Sequence, residues 1–413
     1  MKWGFTREIG IFEYWDAIGV SKSVQRMQSE NKKVPEWVLS MLESGRDSFY
    51  KIVDSQLTFW CPVENKSKVA PKNTKNINLN LYQSSTNTLL RDWSASIHDI
   101  GDGVLNVEFH SIFVPAFNPI DRSIVDVMKY AVKLLDSDKY KGIVVGHQGK
   151  NWSAGANVND FKVAIDSNNL KLMESSVKEM QDLTQRIRHS KYPIITCPFN
   201  FALGGGFEFY ACSAQSVASG ELYAGLVEAI QGLIPGAGGH LRVLLNLLEN
   251  NNASNVNMSI ARQAMEVINP LAVSRSALDA KEKGFLRKSD MILMNSDHLI
   301  AKAKSLILEM NDNGYLPPKY RDDLTLPGMT LRTFASVGLK TMKAQGKLSD
   351  HDLLVGTKSA YVLSGGEKGG LMSKVDEQYI LDIERESFMS LAGEKKTQDR
   401  IAYFLKTGKP LRN

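Results

Sequence analysis

The chain has 413 residues, 43% of them hydrophobic, which is enough for two or three domains with their own cores. Its 50 Lys and Arg residues outnumber its 45 Asp and Glu residues by five, and the charges are spread along the chain rather than gathered in blocks. This distribution argues against a nucleic-acid partner, although a mildly basic surface suits a phosphorylated small molecule.

The cysteines and the apolar segments argue against a disulfide-rich, metal-binding or membrane-spanning protein. Cys61, Cys197 and Cys212 lie far apart and form neither a disulfide framework nor the spacing of a metal site, so no bound metal is expected. No apolar stretch approaches the roughly 20 residues that span a bilayer, and the first residues lack the apolar core of a signal peptide. The prediction is a cytoplasmic protein without a transmembrane segment.

The N-terminal part, residues 1–60, is predicted to be a small helical segment. Apolar side chains recur there at the spacing of one helix face, before Gly45: Val34, Trp37, Val38, Met41 and Leu42. Residues 61–94 are rich in Lys, Asn, Ser and Pro and poor in apolar side chains, which is typical of a solvated linker. A domain boundary is therefore expected in this segment.

Residues 95–290 have the pattern of an α/β domain. Alternating segments 96–100 and 104–109 flank Gly101-Asp102-Gly103, which predicts a hairpin. A helix over 124–135, an apolar strand over 142–145, a helix over 170–189 and a strand over 193–197 follow. Strand, helix and strand at this spacing predict parallel pairing.

Residues 291–413 are predicted to be entirely helical. Leu299, Ala303, Leu306 and Met310 recur at helical spacing, and Ser349-Asp350-His351-Asp352 resembles a capping box. A further apolar helix face is formed by Ile380, Ile383, Phe388 and Leu391.

Two glycine-rich turns carry the first chemical signal. Gly204-Gly205-Gly206 precedes an apparent helix, and Ser153-Ala154-Gly155-Ala156-Asn157 lies between the strand 142–145 and another apparent helix. Backbone N–H groups at such bare turns can hold an oxygen that gains negative charge during a reaction. Two such donors form an oxyanion hole, in which the loss of one typically costs on the order of 3 kcal/mol of transition-state stabilisation.

Two glutamates carry the second signal. Glu208 follows the three glycines, and Glu228 begins a glycine-rich segment that continues to Gly239. Two carboxyl groups beside bare backbone are suited to adding water across a double bond next to a carbonyl. Taken singly, each feature also fits a structural role, because glycine turns serve packing and exposed glutamates form surface ion pairs. Gly236-Ala237-Gly238-Gly239 does not continue as a dinucleotide-binding fingerprint, since Leu occupies position 241.

Three segments, taken together and in order, resemble the signatures of the crotonase, or enoyl-CoA hydratase/isomerase, superfamily. They are Lys150 to Asn157, Ala202 to Glu208 and Glu228 to Gly239, within a resemblance that covers roughly residues 96–290. The resemblance implies an α/β fold with the ββα spiral core of ClpP and crotonase, here between the N-terminal helical segment and the helical C-terminal region. It also implies a CoA thioester as the substrate.

The resemblance implies roles for individual residues. The N–H groups of Ala156 and Gly205 would hold the thioester oxygen. Glu208 would activate water, Glu228 would deliver a proton to Cα, and Gly236 would help to position the water. Because isomerases of the superfamily often keep only the second glutamate, the pair favours hydration of a trans-2-enoyl-CoA, with double-bond isomerisation as the alternative.

The resemblance further implies that backbone atoms around Ala154, Asn157 and Val158 contact the adenine of CoA. The sequence departs from the family pattern at three positions. Asn157 stands where Asp is frequent, Ser213 where an Asp often follows Cys, and His240 where Thr is common. None of these departures removes a proposed catalytic group, and His240 is interpreted as a capping or packing residue.

The flanking segments resemble parts of larger proteins. Trp3-Gly4-Phe5 and the segment from Glu8 to Gly19 resemble part of the C-terminal domain of 3-hydroxyacyl-CoA dehydrogenases, and residues 379–413 resemble the end of bacterial multifunctional β-oxidation proteins. The whole chain thus resembles the C-terminal half of a dehydrogenase/hydratase protein. No glycine fingerprint for NAD follows a strand near the start, so no cofactor is expected on this chain, and NAD would need a separate domain.

These resemblances define the expected partners and a further alternative. An acyl-CoA substrate, a 3-hydroxyacyl-CoA dehydrogenase chain or domain, and further copies of this chain are the expected partners. A non-catalytic CoA-binding or docking subunit of a dehydrogenase is the alternative of a different class.

Overall fold

The computed structural model describes residues 9–54, 56–71, 74–83, 86–268 and 272–413. The chain forms two compact units, the first made of Met1–Thr74 and Asn78–Thr88 and the second of Lys75–Ile77 and Leu89–Asn413. Trp3-Gly4-Phe5 and Glu8, which carry part of the predicted dehydrogenase resemblance, lie outside the described residues.

The first unit combines three helices with a small sheet. The helices are α1 (Ile11–Ile18), α2 (Val20–Ser29) and α3 (Glu36–Glu43), and the antiparallel strands are β1 (Tyr50–Val53), β2 (Gln56–Cys61) and β3 (Lys66–Val69), in the order β1-β2-β3. Val20, Val24, Val38, Met41, Phe49 and Trp60 form its buried core. Helix α3 agrees with the predicted helical spacing.

The sheet was not predicted. Strand β3 lies in the segment predicted as a linker, and its sequence, Lys-Ser-Lys-Val, is exposed or half-buried throughout. An edge strand that buries so little has the composition of solvated chain. The prediction of a helical segment over residues 1–60 also missed β1 and β2.

A seven-stranded sheet forms the centre of the second unit, with the strand order β12-β10-β8-β7-β6-β5-β4. Strands β5 and β6 form the predicted antiparallel hairpin, and the pairs from β6 to β12 are parallel. The strands up to residue 293 are β4 (Thr88–Arg91), β5 (Ala95–Asp99), β6 (Val104–Phe109), β7 (Gly142–Val145), β8 (Ile194–Thr196), β9 (Asn200–Leu203), β10 (Gln215–Ser219), β11 (Leu222–Gly225) and β12 (Met291–Leu293).

Helices cover this sheet, because strands such as β7 are apolar and buried along their whole length. The helices that precede β12 are α4 (Arg122–Leu134), α5 (Val158–Asp166), α6 (Leu170–Arg188), α7 (Gly205–Ala211), α8 (Gly239–Asn250), α9 (Met258–Ile268) and α10 (Ala277–Glu282). Helices α4 and α6 confirm the predicted helices, and β7 and β8 pair in parallel as predicted.

The C-terminal region is helical, but not entirely so. Its helices are α11 (Leu299–Asp312), α12 (Met329–Ala344), α13 (Asp350–Leu363), α14 (Glu377–Ala392) and α15 (Lys395–Thr407). The predicted capping box at Ser349 is present at the start of α13. Two strands, β13 (Leu324–Leu326) and β14 (Gly370–Val375), form an antiparallel pair that was not predicted. They are short or largely exposed, so neither shows a clear alternation of apolar and polar residues.

The second unit also contains a separate pair of parallel strands, β9 and β11, that positions the predicted catalytic residues. Helix α7, which carries Glu208, begins two residues after β9, and Glu228 begins a short 3-10 helix (Glu228–Gln231) after β11. Because the carboxyl ends of paired parallel strands lie at the same edge, the two glutamates are brought to one place. Within the described residues, no helix is both long and apolar enough to span a bilayer.

A buried ion pair joins the ends of strands in the second unit. Arg287 and Asp290, each 3% exposed, form a 3.0 Å ion pair, and the Asp290 carboxylate also accepts the backbone N–H of Ser216 at the start of β10. Removing one partner of such a pair leaves an uncompensated buried charge, which typically costs about 3–5 kcal/mol.

We therefore expect Arg287→Met to lower the free energy of unfolding by about 3–5 kcal/mol in urea titrations. The control is Arg186→Met, because Arg186 forms an exposed 2.8 Å ion pair with Asp136. That variant should lose less than about 1 kcal/mol. Equal, small losses in both variants would contradict the assigned role of the buried pair.

Candidate active site

The two predicted glycine turns lie against each other. A Cβ built on Gly205 would be 3.2 Å from the Ala156 nitrogen, and a Cβ built on Gly155 would be 3.2 Å from the Gly205 nitrogen. A side chain at either position would therefore crowd the opposite backbone. Their close approach brings the amides of Ala156 and Gly205 side by side, as the resemblance implied.

Both amides are available to a ligand. Ile120 donates to the carbonyl of Gly155 and accepts from the N–H of Asn157. Because the C=O and N–H of one trans peptide group point in opposite directions, the Ala156 N–H, which shares a peptide group with the Gly155 carbonyl, points away from Ile120. Gly205 is the first residue of α7, where N–H groups have no acceptor within the helix. Among the described residues, no acceptor occupies either amide.

Glu208 lies on α7 and is 3% exposed. Its Oε1 atom accepts the backbone N–H groups of Ala237 at 2.7 Å and Gly239 at 2.8 Å. These two bonds fix one carboxyl oxygen on the segment that leads into α8. The second oxygen, Oε2, takes no part in them.

Glu228 lies beside Gly204, the residue that precedes the helix of Glu208. A Cβ on Gly204 would be 2.9 Å from the Glu228 Oε1 atom, and Gly204 has φ +51°, so only glycine fits there without strain. The Glu228 Oε2 atom is buried and has no hydrogen-bond partner among the described residues. An acid with one free, enclosed oxygen is suited to exchange a proton with a ligand rather than with solvent.

The pKa values of both glutamates are raised above the ordinary range. Burial is the main cause of the higher pKa of Glu208, and the neighbouring carboxyl groups of Glu228 and Glu384 add to it, against the two backbone donors. Burial also raises the pKa of Glu228 to about 7, with a further contribution from Glu384. Such shifts are typical of catalytic acids and bases that must work near neutral pH.

A small apolar cavity adjoins Glu228. It has a volume of about 10 Å³ and is otherwise lined by apolar side chains, Ala229, Leu233, Ile234, Pro235, Ile268 and Val355. Val355 comes from α13, so the C-terminal region helps to form the wall.

Gly236 packs under a ring from the C-terminal region. A Cβ at this position would be 3.0 Å from Cδ2 of Phe388 on α14, and Phe388 also makes an edge-on contact with Phe161 of α5. Gly236 lies next to Ala237, whose N–H binds Glu208. The residue predicted to position water is thus in the segment that holds the predicted base.

The residues predicted to contact adenine surround Ala156. The N–H of Ala154 already donates to Phe117 at 2.8 Å, and the N–H of Asn157 donates to Ile120 at 3.0 Å. Asn157 caps α5, and Val158 is the first residue of that helix. Because these two N–H groups are occupied, they could not donate to the ring nitrogens of adenine, whereas the adenine amino group could donate to carbonyl oxygens of this segment.

Sequence reasoning missed one acidic side chain at the site. Glu384 of α14 is fully buried and accepts the backbone N–H groups of Gly238 at 2.7 Å and His240 at 3.0 Å. The signal was present, because Glu384 lies four residues from both Ile380 and Phe388, on the apolar face of its helix. A carboxylate on a buried face needs partners, and here it finds them at the start of α8.

The raised pKa of Glu228 predicts a pH-dependent effect on stability. Its pKa is about 7 in the folded protein against 4.5 for the ordinary group, so the folded state holds the proton more tightly. The stability contributed by this group is fully present below about pH 4.5 and is lost as the pH rises through about 7. Glu228→Gln removes this dependence and should become more stable relative to the unchanged protein as the pH rises.

Thermal and urea unfolding at pH 5 and pH 8 measure the effect. We expect the stability difference between Glu228→Gln and the unchanged protein to grow by about 2 kcal/mol over this range. Glu221→Gln is the control, because Glu221 is exposed, and its difference should not change with pH. A difference for Glu228→Gln that is independent of pH would show that Glu228 titrates normally.

Known proteins resemble this chain in sequence and in fold. The sequence profile of the enoyl-CoA hydratase/isomerase family matches residues 99–307, about half of the chain. A probable 3-hydroxyacyl-CoA dehydrogenase of Bacillus subtilis is 36% identical over all 413 residues, which are 51% of that protein. A putative trifunctional enzyme of the fatty acid oxidation complex from Rickettsia felis is 26% identical over 73% of this chain and 38% of its own length.

The chain thus spans about half or less of the length of these two relatives. Among solved structures, an enoyl-CoA hydratase from Bacillus halodurans matches 74% of this chain and 99% of its own with a TM-score of 0.50 at 14% identity, a similarity of fold. The predicted fold class is confirmed, and the chain belongs to the enoyl-CoA hydratase/isomerase family.

Proposed function

We propose that the protein hydrates trans-2-enoyl-CoA to 3-hydroxyacyl-CoA in fatty-acid β-oxidation. One observation carries this proposal. Glu208, which is buried, and Glu228, which is half-buried with one enclosed carboxyl oxygen, lie next to the amides of Ala156 and Gly205, which have no acceptor among the described residues. Hydration needs a base for water, an acid for Cα and donors for the thioester oxygen, and these four groups supply all three.

The reaction begins at the thioester oxygen. When the N–H groups of Ala156 and Gly205 bind this oxygen, electron density can move from the double bond onto it, and Cβ becomes electrophilic. The two amides are held by backbone packing and need no rearrangement as the charge develops. Such fixed donors typically supply on the order of 3 kcal/mol each.

Glu208 acts as the base. Its Oε1 atom accepts two backbone N–H groups, which oppose the rise in pKa that burial causes, and Oε2 is left to take a proton from water. The oxygen of that water forms the new bond to Cβ. Phe388 and Gly236 limit the space in which the water can lie.

Glu228 acts as the acid. Its buried Oε2 atom has no hydrogen-bond partner in the part of the chain that the structure describes, which favours the neutral form, and the nearby carboxyl group of Glu384 makes a further negative charge unfavourable. As the enolate collapses, Glu228 gives its proton to Cα. The net change is the addition of one water across the double bond, after which a proton returns from Glu208 to Glu228 through solvent.

We further propose that the chain is the hydratase half of a dehydrogenase/hydratase system. The names of two relatives, a probable 3-hydroxyacyl-CoA dehydrogenase and a putative trifunctional enzyme of the fatty acid oxidation complex, support this partnership. The product of hydration is a 3-hydroxyacyl-CoA, which is the substrate that such a dehydrogenase oxidises. NAD would bind to the dehydrogenase part, and this chain would bind only the acyl-CoA.

Substitution of the two glutamates tests the reaction. We expect Glu208→Gln and Glu228→Gln each to lower kcat/KM for a short trans-2-enoyl-CoA by roughly 10²–10⁴-fold, because each removes one proton transfer. The loss of absorbance of the conjugated thioester measures the rate. Glu221→Gln is again the control and should keep the full rate. Unchanged rates in both site variants would end the hydratase assignment.

Product analysis separates hydration from isomerisation. Incubated with a 3-enoyl-CoA, an isomerase would form the 2-enoyl isomer through Glu228 alone, and Glu208→Gln would leave this activity intact. We expect the main activity to be hydration of the 2-enoyl-CoA and to depend on both glutamates. A chain that binds CoA thioesters without either conversion would instead fit the docking-subunit alternative.

The raised pKa of Glu228 also predicts the pH dependence of the rate. Because the acid must be protonated and its pKa is about 7, its active form decreases tenfold per pH unit above that value. We expect kcat/KM for hydration to fall on the alkaline side of about pH 7, as an apparent value of the coupled pair. A rate that stays constant up to pH 9 would contradict the role of Glu228 as the acid.

A further inference from the structure

Two carboxylates share the backbone donors at the start of α8. Glu208 accepts the N–H groups of Ala237 and Gly239, and Glu384 accepts those of Gly238 and His240. Four successive N–H groups are thus divided alternately between an acid of α7 and an acid of α14. Residues 237–240, called the shared turn below, are held from two opposite sides.

The interaction of Glu384 extends beyond the turn. Its Oε2 atom lies 2.8 Å from Nδ1 of His240, and Nε2 of His240 lies 2.9 Å from the Ser359 hydroxyl on α13. Both ring nitrogens of His240 therefore have a hydrogen-bond partner, the Glu384 carboxylate on one side and the Ser359 hydroxyl on the other.

The acid, imidazole and hydroxyl are connected as in a hydrolytic triad, but their surroundings exclude that activity. Glu384, His240 and Ser359 are all 0% exposed, so a substrate cannot reach the hydroxyl. The chain of hydrogen bonds instead ties α8, α13 and α14 together behind Glu208. These three residues can therefore affect the reaction only through the residues to which they are hydrogen-bonded.

We propose that Glu384 is a positioning residue for the reaction, which fixes the shared turn and thereby the orientation of the Glu208 carboxyl group. This inference rests on the proposed function. Among the described residues, Glu208 Oε1 accepts hydrogen bonds from amides of the shared turn alone, so a displacement of the turn moves the base directly. A displacement of about 1 Å at a reacting group can lower a rate by 10²-fold.

Glu384 also sets the electrostatic surroundings of the reacting acids. The groups that face it are Glu208 on α7, Glu228 on the 3-10 helix, His240 and Arg242 on α8, and Ser359 on α13. Its negative charge raises the pKa of Glu208 and of Glu228. Neutralising Glu384 should therefore lower both pKa values and move the alkaline decline of the rate to lower pH.

The test compares Glu384→Gln, Glu384→Asp and Glu386→Gln. Glu386 is exposed on the same helix, so its variant is a matched control for loss of one charge on α14. The measurements are kcat, KM and the pH profile of kcat/KM for hydration of a short trans-2-enoyl-CoA. Circular dichroism and the unfolding midpoint show which variants keep the fold.

Each variant has a distinct expected result. Glu384→Gln should lower kcat by roughly 10–10²-fold with KM changed less than about threefold, and should shift the alkaline decline to lower pH by at least about half a unit. Glu384→Asp keeps the charge but is one methylene shorter, so it should lower kcat without the shift in pH. Glu386→Gln should behave as the unchanged protein.

The inference is overturned if Glu384→Gln, or Glu384→Asp where the glutamine variant does not fold, has the kcat of the unchanged protein. It is also overturned if Glu384→Gln lowers kcat without moving the pH profile, because a purely structural role would give that result. If the unchanged protein itself does not hydrate enoyl-CoA, the proposed function fails. The kcat of the unchanged protein distinguishes this outcome from the others.

Discussion

The structure depends on the burial of acidic side chains beside backbone amides that have no other acceptor. A buried carboxylate is costly unless hydrogen bonds compensate it, and the start of a buried helix leaves N–H groups that also need partners. At the start of α8 the carboxylates and the N–H groups satisfy each other, because Glu208 and Glu384 accept the backbone N–H groups of residues 237–240. Glu228 is the exception, because its enclosed Oε2 atom has no hydrogen-bond partner among the described residues. Burial raises the pKa values of both Glu208 and Glu228, as is typical of carboxyl groups that exchange protons with a ligand.

The C-terminal region supplies part of the surroundings of Glu208 and Glu228. Helix α14 supplies Glu384 and the Phe388 ring over Gly236, and α13 supplies Val355 to the cavity beside Glu228. Farther along, Thr397 and Arg400 of α15 donate to the carbonyls of Gly232 and Ala229, which lie just after and within the short helix that carries Glu228. The walls that exclude water from the two glutamates therefore come from residues about 150 positions later in the chain. A family profile that ends at residue 307 does not contain these walls.

The sequence was sufficient for much of the central domain and for the relation between its glycine turns. Strong local signals, such as the Gly101-Asp102-Gly103 hairpin and the apolar strand 142–145, predict elements that the structure contains.

The sequence was insufficient where the partner that stabilises an element is distant in sequence. Strand β3 has a solvated composition because it lies at a sheet edge, and β13 and β14 are too short or too exposed to show a period. Glu384 could be recognised as an acid on an apolar helix face, but its partners lie more than 140 residues away. The roles of Ala156, Gly205, Glu208, Glu228 and Gly236 stay predictions, since their proximity alone does not show a ligand.

The most direct measurement of the central claim is a crystal structure with a non-reactive enoyl-CoA thioester analogue bound. The account predicts that the thioester oxygen lies within about 3 Å of the amide nitrogens of both Ala156 and Gly205. It also predicts that Glu208 Oε2 faces Cβ and that the free oxygen of Glu228 faces Cα. A complex in which the thioester oxygen contacts neither amide, or in which the two carboxyl groups point away from the acyl carbons, would contradict it.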